Sequence, residues 1–128
     1  MLSSPRRRLI AAGLAVVTVL AGLAVRFALP SGEASDVAGD ALYAVLIYLA
    51  VVFLVPRVRP AAVAAIAGSL CVAIELFQLT GLPHAWASGF PPIALVLGTG
   101  FDVRDIVVYV VAVAVVGLID RFSRRTTT

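Results

Sequence analysis

The chain has no lysine and one cysteine, and charged side chains make up only 13% of its 128 residues. The lone thiol, Cys71, excludes an intrachain disulfide framework and leaves no cysteine pair for redox chemistry. So little charge excludes an ordinary water-soluble globule, because a domain of this size exposes a large surface that needs polar cover. Strict polar–apolar alternation is absent, which excludes a transmembrane barrel. No spacing of His, Cys, Asp or Glu matches a metal-ligand motif, no nucleophile–base pair stands out, and no cofactor is implied. Ten arginines against seven acids give a net charge of +3. These arginines flank apolar runs instead of striping a polar surface, so nucleic acid is not an expected partner.

What the chain does have is apolar length. Hydrophobic residues account for 62% of it, well above the usual share in soluble domains. They gather in four runs, at 9–29, 37–55, 61–79 and 101–119. A bilayer core of about 30 Å needs roughly 20 helical residues. Many of these residues are valine, but inside lipid the backbone must satisfy its own hydrogen bonds, which outweighs strand propensity. The sequence therefore predicts an all-α fold, a polytopic transmembrane four-helix bundle forming a single integral membrane domain over 1–128. Between the third and fourth spans, Gly81, Pro83, Gly89, Pro91 and Pro92 break regular structure. The apolar stretch 93–98 is too short to cross, so a re-entrant or interfacial segment is expected there, with a plain loop as the alternative. Trp86 reads as an anchor at headgroup level, and His84 as a solvent or headgroup contact.

Four crossings put Arg6, Arg7, Arg8, Arg57, Arg59, Arg121, Arg124 and Arg125 on one side. By the positive-inside rule both termini are cytoplasmic, as in a multi-pass protein of the bacterial cell membrane. A signal peptide is the competing reading of the first run, but the run is longer than a usual signal core and no convincing small-x-small cleavage site ends it. In the third run, Ala61, Ala65 and Ser69 form one small-residue face, and Ala64 and Gly68 another; either would let helices approach closely.

The remaining polar residues converge on one depth. Glu75 lies about 21 Å along the third helix from Ala61, and Gln78 shares its face one turn on. Arg26, Asp40, Asp105 and Tyr109 fall at the same level, whereas the inner halves of the spans are expected to hold almost nothing ionisable. Arg26, Asp40, Glu75, Gln78, Asp105 and Tyr109 are the candidate polar-cluster or binding residues. Glu75 is expected to face the bundle interior, either paired with Arg26 or, protonated, hydrogen-bonded to Gln78. Asp40 also reads as a first-turn residue of its helix, and Asp102 or Asp105 as a helix cap.

Three functions suit this pattern. One is binding of a membrane lipid, a membrane-protein partner or a second copy of the chain through the polar cluster. Another is an intramembrane enzyme acting on a lipid headgroup, with Glu75 as acid or base. The third is a small proton-coupled transporter subunit, which a dry inner half disfavours.

The segments "GDALYAVLIY", "ELFQLTG" and "LVLGTGFDVRDIVVY", in that order, resemble the DUF2809-like family of small bacterial membrane proteins of unknown function. A looser likeness to VanZ-like proteins rests on Glu75, Gln78 and Asp105, although "FDVRD" lacks their asparagine–glycine continuation. The resemblance implies a polytopic membrane protein and supplies no reaction.

Overall fold

The computed structural model describes residues 4–94 and 102–126. Among these, four helices are long and apolar enough to cross a membrane. They are α1 (Ser4–Ala28), α2 (Glu33–Leu54), α3 (Pro60–Phe77) and, after a short helix α4 (Leu82–Gly89), α5 (Val103–Thr126). The chain is an all-α, four-span membrane helix bundle, and α4 is a short non-spanning helix between the third and fourth spans. Residues 95–101, which include most of the expected 93–98 segment and the first residue of the fourth expected span, lie outside the described residues.

The helix ends follow from local chemistry. At the start of α2, Ser35 Oγ accepts from the Gly32 N–H at 3.0 Å and donates to the Gly32 carbonyl at 3.0 Å. Glu33 and Asp36 place negative charge in that first turn, against the positive end of the helix dipole. Because α2 begins at Glu33 instead of near Val37, Asp40 sits two turns in. It is not the first-turn residue that the sequence suggested. Pro60 starts α3, where its missing N–H has no cost. Beyond Phe77 the chain tightens into a 3₁₀ turn, Gln78–Thr80, and reverses at Gly81, whose φ of 77° suits glycine best. At the start of α5, Asp102 Oδ1 accepts from the Arg104 N–H at 2.9 Å, the expected cap.

Helix α2 is the centre of the bundle and packs against α1, α3 and α5. Its Ala44, Tyr48, Leu49, Val51 and Val52 meet Val63, Ala67 and Cys71 of α3 and Tyr109 and Val113 of α5. Large apolar side chains such as Leu14, Leu20, Phe53, Val111 and Leu118 point outward, as lipid-facing residues do. Of the two small-residue faces on α3, only one packs. A Cβ on Gly117 of α5 would lie 3.2 Å from Ala64 Cβ, and one on Gly68 would lie 3.9 Å from Val113 Cγ1. Ala61, Ala65 and Ser69 are exposed.

One end of the bundle is arginine-rich and the other acidic. The arginine-rich end carries a polar network built from residues that flank the expected spans 9–29 and 101–119. The Arg7 guanidinium donates to both oxygens of Asp120 at 2.8 and 2.7 Å, and its Nε–H donates to the Pro56 carbonyl at 3.0 Å. The Tyr48 hydroxyl donates to Asp120 Oδ2 at 2.6 Å. This buried network joins α1, α2, the α2–α3 turn and α5. Arg8 adds a bond to the Phe53 carbonyl at 2.8 Å, and Arg57 one to Ser4 Oγ at 3.2 Å. Helix α1 is thus fastened here, and its only buried residues are Arg7, Ala11 and Thr18. Past Thr18 none of its residues is fully buried.

Candidate functional site

Where α1 stops burying residues, a cavity of ≈ 820 Å³ opens at the acidic end. Thr18, Leu23 and Arg26 of α1 form one wall, and Gly39, Asp40, Tyr43 and Leu46 of α2 form the back. Ile74 of α3, Gln78 of the 3₁₀ turn that follows it, and Asp105 and Tyr109 of α5 close the far side. Thr18 also bonds within its own helix. Its hydroxyl donates to the Leu14 carbonyl at 2.7 Å, one turn back, a bond that tends to bend a helix.

Five of the six sequence-derived candidates line this cavity: Arg26, Asp40, Gln78, Asp105 and Tyr109. The sixth, Glu75, is 0% exposed and sits behind them. Arg26 does not pair with it. The Arg26 guanidinium lies 6.0 Å from the centre of the Phe27 ring, and the residue is exposed. Glu75 Oε1 instead accepts the Asp102 backbone N–H at 2.7 Å. That bond explains why a carboxylate occurs so deep in α3: it holds the first turn of α5, whose amide donors have no partner within their own helix. Its other oxygen, Oε2, is buried and has no hydrogen-bond partner among the described residues. Asp105 and Tyr109 are among the polar groups around it.

The carboxyl groups of Asp40 and Asp105 approach one another across α2 and α5. Beside them the rings of Tyr43 and Tyr109 stand 6.1 Å apart at 47°. Both tyrosines line the cavity. Arg104, which is not one of the six candidates, ties the rim together. It meets Glu33 at 3.2 Å, Asp102 at 3.8 Å and Asp36 at 4.0 Å. Its place among four acids within the cluster Glu33, Asp36, Asp102 and Asp105 was the available signal. His84 is exposed on α4, while Trp86 packs edge-on against Phe77 at 5.6 Å. That contact holds α4 over the end of α3. Among the described residues, no group of three or more His, Cys, Asp or Glu side chains is arranged to hold a metal ion.

Comparison with known proteins adds one assignment. No curated protein and no solved structure matches the chain, and nothing beyond the short motifs connects it with VanZ-like proteins. The family described as "Protein of unknown function (DUF2809)" matches residues 29–113, which carry α2, α3, α4, the first part of α5 and every candidate residue except Arg26. The chain therefore belongs to the DUF2809 family.

Proposed function

We propose that this protein is a multi-pass protein of the bacterial inner membrane that holds an amphiphile, a membrane lipid, in the cavity at its acidic end. The observation that carries the reading is the cavity itself. Its volume lies within the usual range for small-molecule sites, and it joins apolar walls to a few convergent polar groups. Leu23, Leu42, Leu46 and Ile74 offer hydrocarbon, and Asp40, Gln78, Asp105 and Tyr109 offer hydrogen bonds. The positive-inside rule places the arginine-rich end and both termini in the cytoplasm, so the cavity opens toward the outer leaflet.

Gly39 provides the test. It lines the cavity, and a Cβ there would meet nothing within 4 Å. Gly39→Phe should fill the space without disturbing the bundle. Native mass spectrometry of the protein extracted from membranes should show retained lipid on the wild type and a marked loss on Gly39→Phe at unchanged thermal stability. Equal retention by both proteins, or none by the wild type, would remove the cavity from the function.

A further inference from the structure

We infer that the arginine-rich end of the bundle carries a second lipid site, where Arg8 and Arg57 hold the phosphate of an anionic phospholipid along the seam between α1 and the end of α2. This site is separate from the cavity and lies at the opposite end. It does not depend on which side of the membrane that end faces.

Geometry is the first argument. The Arg8 Nε–H donates to the Phe53 carbonyl at 2.8 Å, and the Arg57 Nε–H donates to Ser4 Oγ at 3.2 Å. Ser4 and Arg8 are one turn apart on α1, and their partners run antiparallel, Arg57 against Ser4 and Phe53 against Arg8. The two contacts therefore lie side by side, about 5 Å apart along the helix axis. Each bond uses Nε alone and leaves both terminal nitrogens of that guanidinium without a partner among the described residues. Two exposed guanidiniums are thus held in place with donors to spare, a planar arrangement suited to phosphate oxygens.

Charge decides which headgroup. Asp120 is the only acid at this end, and Arg7 and Tyr48 already bond to it. Arg8, Arg57, Arg59 and Arg121 are exposed and make no ion pair among the described residues. A zwitterionic headgroup brings an ammonium that this surplus repels, whereas an anionic headgroup brings only the charge it attracts. The neighbouring side chains favour a lipid over an acidic protein segment. Leu9, next to Arg8, is 74% exposed, and Leu54, at the end of α2, is 69% exposed. They set hydrocarbon directly beside guanidinium, as the boundary between acyl chain and headgroup requires.

The single tryptophan, Trp86, stands on α4 at the other end and serves as the control. Phe53 is 45% exposed at the seam, and Phe53→Trp keeps the backbone carbonyl that Arg8 uses. Protein reconstituted in phosphatidylcholine vesicles is titrated with brominated phosphatidylglycerol or brominated phosphatidylcholine, and tryptophan quenching reads their relative affinities. Phe53→Trp on a Trp86→Phe background should prefer phosphatidylglycerol by about fivefold or more, and added salt should shrink the preference. The wild type, read at Trp86, should show none. Adding Arg8→Gln and Arg57→Gln should bring the seam probe close to parity. Gly39→Phe should leave its preference unchanged; a loss there would assign the effect to the cavity. Parity at the seam with every arginine present would overturn the site and leave these guanidiniums to an acidic protein segment. An equal preference at Trp86, or one that survives removal of both arginines, would overturn it as well.

Discussion

Asp120→Ala tests the network at the arginine-rich end most directly. It removes the carboxylate that accepts two bonds from Arg7 and one from Tyr48, and leaves the guanidinium with the Pro56 carbonyl. Two estimates of the cost differ usefully. Counted as three interhelical hydrogen bonds at about 0.6 kcal/mol each, the loss is about 2 kcal/mol. Counted as a buried ion pair broken on one side, it is about 3–5 kcal/mol, because the orphaned charge stays desolvated. The side chains of Arg7 and Asp120 are 10% and 13% exposed, which favours the larger figure. Equilibrium unfolding in mixed micelles, followed by helical circular dichroism, should therefore show Asp120→Ala destabilised by about 3 kcal/mol or more. Asp120→Asn keeps an acceptor and should lose less. The double variant Arg7→Met with Asp120→Leu replaces the pair by hydrocarbon and should be milder than the worse single change. If both single variants lost under about 1 kcal/mol, or if the double variant cost the sum of the two, the network would not act as a coupled pair.

Four further outcomes follow from other contacts. Gly117→Val should destabilise by about 1–3 kcal/mol through overpacking against Ala64, and Ala64→Gly should partly rescue it; no loss of melting temperature would show that the α3–α5 approach is slack. Gly81→Ala should cost about 1–2 kcal/mol, since φ of 77° is strained with a side chain, and an unchanged unfolding curve would contradict that. Cys71 is fully buried, so a maleimide should label it only after denaturation; rapid labelling of the native protein would place it elsewhere. On a Cys71→Ala background, an impermeant maleimide added to intact cells should label Ser88→Cys and spare Arg57→Cys, and the reverse pattern would invert the proposed orientation.

The spans were legible because the bilayer imposes a length that the sequence must match, and four apolar runs match it. The level shared by Asp40, Gln78, Asp105 and Tyr109 was legible for the same reason, since antiparallel helices of known rise fix depth. Partners were not. Glu75 was expected to meet Arg26 or, protonated, Gln78, but its bond to the Asp102 amide could not be read from side chains, because the donor belongs to the backbone. The Arg7–Asp120–Tyr48 network was missed for a different reason. Arg7 lies in a run of three arginines and Asp120 just past the expected end of the fourth span, so both read as solvated flanks. Asp120 is the only acid at the arginine-rich end, and Arg7 shares a helical stripe with Ala11 and Thr18. Together those two facts were the available signal.

The pairing of Arg7 with Asp120 also bears on how the protein is made. The two residues are separated by 113 positions, so during translation the first helix enters the bilayer well before its counter-charge exists. At about 5–20 residues per second that wait is on the order of ten seconds. Over that interval the first helix can be held by the bonds it makes to the Pro56 and Phe53 carbonyls and to Arg57, but Arg7 lacks its counter-charge until the last helix arrives. Chains stopped before the fourth span would carry this exposed basic terminus indefinitely, a mark by which membrane quality control could tell unfinished copies from complete ones.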